Sequence, residues 1–117
     1  MGISIRSVKN DILSIIEQLG PVYDAMVRVK KRRERLGFLK RLFGYISPEY
    51  LENAKYKLKQ AMEKSDFAEI KSFLLQARDR MGLFRNSMPC LSPRYREEIS
   101  FIDRRLGGII AEIDHYT

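Results

Sequence analysis

The sequence predicts an all-α fold, a compact bundle of about five helices forming one domain over residues 1–117. Three observations predict it. Apolar residues recur at steps of three and four along most of the chain, the spacing of one helix face. No segment alternates with period two, so strands are not expected. The interruptions carry residues that stop or start helices, Gly20-Pro21, Ser47-Pro48 and Ser92-Pro93 among them.

Ile5, Val8, Ile12, Ile15, Ile16 and Leu19 fall on one side of a helical wheel, with Lys9, Asp11, Glu17 and Gln18 opposite. Gly20-Pro21 is expected to end this first helix, because Gly suits a cap and Pro cannot continue the hydrogen-bond ladder. A second helix then runs from about Val22, with Val22, Met26 and Val29 as its buried stripe. Ser47 can cap the next one, Pro48 suits a first helical position, and Glu49 and Glu52 complement the dipole. Leu51, Ala54, Leu58, Ala61 and Met62 line its inner face. After a turn at Lys64-Ser65, Asp66 and Glu69 resemble a capping box ahead of Phe67, Ile70, Phe73, Leu74, Ala77 and Met81. The spans of about 48–64 and 67–81 therefore read as an antiparallel hairpin. Residues 82–93, GLFRNSMPCLSP, read as the longest irregular connection. The last helix carries Tyr95, Ile99, Ile102, Leu106, Ile109 and Ile113 in alternating steps of four and three, the seam of a bundle. Gly107-Gly108 interrupts it at a cost in helix stability, which close approach of a neighbouring helix would explain.

The chain has 22 Lys plus Arg against 15 Asp plus Glu, a formal charge of +7. That surplus is local. Residues 28–41 hold eight of the cations and one acid, Glu34, leaving 14 of each sign elsewhere. The eight are Arg28, Lys30, Lys31, Arg32, Arg33, Arg35, Lys40 and Arg41. Solvated helix faces normally mix signs, since like charges at i,i+4 repel. Here Arg28 with Arg32, and Lys31 with Arg35, are like-charged pairs at that spacing. A polyanion that neutralises them accounts for the crowding, and phosphate backbones do so without sequence choice. Further along, Leu36, Phe38, Leu39, Leu42, Phe43, Tyr45 and Ile46 share half a wheel. Extended backwards, that half also takes Arg28, Lys31, Arg32 and Arg35. Burying unpaired cations is prohibitive, so a break or kink near Gly37 is expected, or a separate neighbour for the apolar half. A second basic group comprises Arg78, Arg80, Arg85, Arg94 and Arg96. Arg94 and Arg96 oppose the dipole of the last helix, which either a phosphate or the nearby acids Asp79, Glu97 and Glu98 could offset.

The expected function is thus a non-enzymatic basic nucleic-acid-binding protein, or a small subunit of a nucleic-acid-handling assembly. The ten binding residues are the eight listed above with Arg94 and Arg96, and DNA and RNA are equally open. Two other readings compete. The first is an interaction module for a protein partner or a second copy, using the 36–46 face, with Leu36, Leu39, Leu42 and Phe43, and the 95–113 helix. The other is a basic amphipathic helix on an anionic membrane surface. The segment LGFLKRLF resembles the sliding-clamp-binding peptide of replication and repair proteins. Leu39 stands at its aliphatic position and Leu42-Phe43 at its paired bulky position, while Leu36 replaces the opening glutamine. Residues 54–77 resemble one helix-turn-helix unit of the tetratricopeptide kind, but such arrays need about three.

Catalytic parts are missing from the sequence. His115 is the only histidine. Glu112 and His115 have the spacing of half a di-iron motif, which needs a second such pair and further glutamates. Cys90 is the only cysteine, so no intrachain disulfide is expected and a reducing intracellular compartment such as the cytoplasm suits the chain. Neither phosphate-loop nor dinucleotide glycine patterns occur. No cofactor, metal or small-molecule substrate is expected. Phe67, Phe73, Tyr95 and Phe101 fall on or near apolar stripes, and no ordered aromatic platform for stacking bases is visible. Phosphate contacts are therefore expected to outweigh base readout.

Overall fold

The computed structural model describes residues 4–35, 48–86 and 93–116. These form four helices and no strand: α1 (Ile5–Arg35), α2 (Glu49–Met62), α3 (Phe67–Asn86) and α4 (Pro93–Tyr116). The all-α class stands, and the count among the described residues is one lower than expected. Gly37, where a kink is expected, lies outside them, as does Ser47.

The first two expected helices are one. α1 runs 31 residues straight through Pro21. An interior proline removes a hydrogen bond and clashes with the preceding turn, costing about 3 kcal/mol. Two features offset that cost. Gly20 has no Cβ to meet the proline ring, which relieves the usual restriction on the preceding residue. Ile15, Ile16 and Leu19 before the proline and Val22, Ala25 and Met26 after it are all buried in one core. Burying each large side chain is worth about 1.5–3 kcal/mol, so breaking the helix would forfeit more than the proline costs. Pro21 itself sits on the exposed side, where the Glu17 carbonyl it leaves without a donor can be hydrated.

The α2–α3 hairpin forms with bounds that differ from the expected 48–64 and 67–81: α2 starts after Pro48 and ends at Met62, and the connection spans 63–66. Asp66 caps α3, its Oδ1 accepting a hydrogen bond from the Ala68 N–H at 3.0 Å. Ser4 plays the same part for α1, accepting from the Ser7 N–H at 3.0 Å. The far end of α3 corrects the sequence reading: residues 82–86, expected in a connection, are helical. The reason is Phe84, completely buried and three residues beyond Met81 on the same face. Gly82 and Asn86 lower the helical propensity of this turn, but the burial outweighs it.

All neighbouring helices run antiparallel. Tyr23 with Glu52, and Lys30 with Glu49 at 3.1 Å, set α1 against α2. Arg78 with Asp103 at 3.0 Å, and Lys71 with Asp114, set α3 against α4. The Arg105 Nη1 donates to Ser14 Oγ at 3.3 Å and to Gln18 Oε1, which ties α4 back to α1. The amino-terminal part of α1 thus lies along α4, and its carboxyl-terminal part along α2. The result is elongated, 56 × 21 × 18 Å. Ile99, Ile102, Leu106, Ile109, Ile110 and Ile113 of α4 meet the inner faces of the other helices in a single core. No charged or polar residue is buried among the described residues.

At Gly107 the neighbour is a side chain and not the backbone of another helix. A Cβ there would stand 3.2 Å from both terminal nitrogens of Arg78, the side chain held by Asp103. At Gly108 the same atom would meet nothing within 4 Å. Glycine inside a helix costs about 0.5–1 kcal/mol relative to alanine. Gly108→Ala is therefore expected to stabilise the protein by about that amount in chemical denaturation. Gly107→Ala should gain less, because Arg78 must shift.

The α1–α2 contact makes a second prediction. Burial chiefly, then the charges of Glu52 and Glu49 and the hydrogen bond to Glu52, raise the Tyr23 hydroxyl above its ordinary value of 10.0. The fold thus favours neutral Tyr23. Its contribution is fully present below the unfolded value and is lost as pH rises through the raised folded one. In an alkaline absorbance titration, Tyr23→Phe should remove a component that titrates above the ordinary tyrosine value of 10.0.

Candidate nucleic-acid interface

The inner face of α1 fixes where its cations point. Val22 and Met26 are buried and Val29 partly so, which turns Arg28, Lys31 and Arg32 outward. All three are exposed. They stand three and four residues apart, so they form a short row rising about 6 Å along the helix. Among the described residues none of the three makes an ion pair. Pairs formed by other cations include Lys30–Glu49, Lys71–Asp114, Arg78–Asp103 and Arg94–Glu98. Lys30 is therefore a tie between α1 and α2, on a different side of the helix from the row. Arg33 and Arg35 continue the helix in its last turn. Lys40 and Arg41 lie outside the described residues, as do Leu36, Leu39, Leu42, Phe43 and Cys90.

The antiparallel order brings distant parts of the sequence to one end of the molecule. The carboxyl ends of α1 and α3 and the amino ends of α2 and α4 share it. Arg28 to Arg35 therefore stand at the same end as Arg85, Arg94 and Arg96. Arg85, Arg94 and Arg96 are exposed. Arg94 is 80% exposed and only loosely paired with Glu98, at 3.6 Å one turn along α4. That pair bears out part of the acidic-neighbour explanation. An exposed pair of this kind contributes little to stability and leaves the guanidinium accessible. Arg78, by contrast, is engaged with both oxygens of Asp103, at 3.0 and 3.4 Å.

No protein-family model matches this chain, and no curated protein or solved structure matches it.

Guanidinium groups offer planar, multiple hydrogen bonds that match phosphate oxygens. Arg28 and Arg32 repel each other at the i,i+4 spacing, and Asp24, one turn before Arg28, is the neighbouring acid on that face. Phe101 is the residue whose position the sequence reading got wrong. It is 49% exposed, because Ile99 and Ile102 define the inner face of α4 and Phe101 falls outside that arc. The signal was available: its neighbours at helical spacing, Arg94, Glu97, Glu98, Arg104, Arg105 and Gly108, include no apolar residue. Glu112 and His115 are both exposed, on the outer side of α4 as its stripe implies. No described helix is long and apolar enough to cross a membrane.

Proposed function

We propose that this protein is a non-enzymatic nucleic-acid-binding protein, or a small subunit of a nucleic-acid-handling assembly, that holds phosphates at its basic end. The observation that carries this reading is the row of Arg28, Lys31 and Arg32, exposed and without a carboxylate partner among the described residues. Arg94 and Arg96 stand at the same end and extend the surface onto α4. Phosphate contact of this kind releases condensed counterions and makes affinity fall with salt.

The rival reading, a protein-interaction module, draws less support. Ile99, Ile102, Leu106, Ile109 and Ile113 are already buried in the chain's own core, which leaves that reading the 36–46 segment alone. A salt titration separates the two. Nucleic-acid binding predicts association with mixed-sequence DNA or RNA that weakens steeply as salt rises. A partner module predicts salt-tolerant association with its protein, lost on Leu39→Ala or Phe43→Ala, and no appreciable affinity for nucleic acid at low salt.

A further inference from the structure

A groove of about 280 Å³ lies between α1 and α4, lined by Gln18, Pro21, Val22, Glu98, Phe101 and Ile102. Its apolar lining combines the buried Val22 and Ile102 with the exposed Pro21 and the half-exposed Phe101. Its rim is polar and mixed. Gln18 Oε1 already accepts from Arg105, which leaves the amide N–H groups of Gln18 as donors. Glu98 supplies carboxylate oxygens, and its partner Arg94 is held only loosely at 3.6 Å. A flat group with an apolar face and both donors and acceptors on its edge fits this arrangement. A nucleobase has that character. A phosphate does not, because Glu98 would repel it.

The groove and the basic end are built on the same two helices. Arg28 follows Pro21 by seven residues and Arg94 precedes Phe101 by seven, so each stands two turns along the same helix face as its lining residue. That separation is about 10 Å on either helix. Both arginines are exposed. A strand with a base in the groove would thus carry its neighbouring phosphates to Arg28 and Arg94.

We propose that the groove is a base-binding site for single-stranded nucleic acid. One unpaired base stacks on Phe101 and Pro21, with its edge on Gln18 and Glu98, while Arg28 and Arg94 hold phosphates of the same strand. The inference rests on the nucleic-acid reading above and narrows it to strands whose bases are free to leave the stack. A base in an intact duplex is unavailable to the groove unless the duplex opens.

Fluorescence anisotropy with a labelled mixed-sequence single strand of about 10 nucleotides, a length in the range bound by single-strand modules, tests this. The comparison probes are an abasic strand with the same phosphates and the same sequence as a duplex. The intact strand is expected to bind at least about tenfold more tightly than the abasic one, an effect typical of one aromatic stack. Phe101→Ala should lower affinity for the intact strand about 5- to 150-fold and leave the abasic strand unchanged. Phe101→Tyr should retain binding. Because Phe101 is exposed, the alanine variant should melt as the parent does. Equal binding of intact and abasic strands, or tighter binding of duplex than of single strand, would overturn the base site while leaving phosphate binding in place. Failure to bind any of the three probes at low salt would remove both readings together.

Discussion

Phe84→Ala is expected to destabilise the protein by about 3–5 kcal/mol, the usual cost of emptying a phenylalanine-sized space in a core. Phe84 is among the largest fully buried side chains and has no solvent exposure. It lies beyond Gly82, near the end of α3, and continues the stripe of Ile70, Leu74, Ala77 and Met81. Small domains are stable by only about 5–15 kcal/mol, so this single change should remove a large part of the total. A fall in Tm of roughly 10–20 °C follows from the usual enthalpy and entropy per residue. Leu83→Ala is the matching control. Leu83 is exposed, and truncating it should change stability by no more than about 0.5 kcal/mol. Equal effects from the two variants would mean that α3 does not extend past Met81.

The triple change of Arg28, Lys31 and Arg32 to Ala is expected to weaken nucleic-acid binding by more than tenfold at low salt. It should also flatten the dependence of log affinity on log salt. Each phosphate contact contributes about 0.9 to that slope on duplex DNA and about 0.7 on single strands, so three lost contacts amount to roughly 2–3. Lys30→Ala should flatten it much less, because Lys30 is occupied with Glu49. The same triple variant should not lose stability. Removing the like-charged Arg28–Arg32 pair favours the helix by about 0.2–0.5 kcal/mol, and losing Asp24–Arg28 at the same spacing costs a similar amount, so the two nearly cancel. Weaker binding with unchanged or slightly higher stability is the signature of cations kept for a ligand rather than for the fold.

Much of the architecture was legible because the apolar spacing is regular. The stripe from Ile99 to Ile113 is buried as expected, and the hairpin through Asp66 forms with shifted bounds, each from residues whose burial and local propensity agree. The two larger departures share one cause. At Gly20-Pro21 and again at Gly82, local propensity argued for a helix end while the stripe continued through it. In both places the stripe prevailed, since Met26 and Phe84 each offer more on burial than a glycine or proline removes. Reading the stripe across the breaker would have recovered both. The candidate site was legible only as charge. That the α1 row would share an end with Arg94 and Arg96, separated from it by more than sixty positions in the chain, depends on the antiparallel order of all four helices. Nor did the sequence alone reveal that Phe101 and Pro21 would line one groove. That juxtaposition comes from the pairing of α4 with α1, which is fixed by Arg105, Ser14 and Gln18.

Mapping bound oligonucleotide by nuclear magnetic resonance tests the central claim most directly, since a 13.8 kDa chain is well within reach of the method. Backbone amide and arginine side-chain signals would be followed as a short single strand is added at low salt. Changes are expected to cluster at residues 28–35 and 94–101, with the opposite end, near Glu63–Asp66 and Glu112–Tyr116, unaffected. Changes centred on that opposite end, or none at saturating strand, would contradict the account.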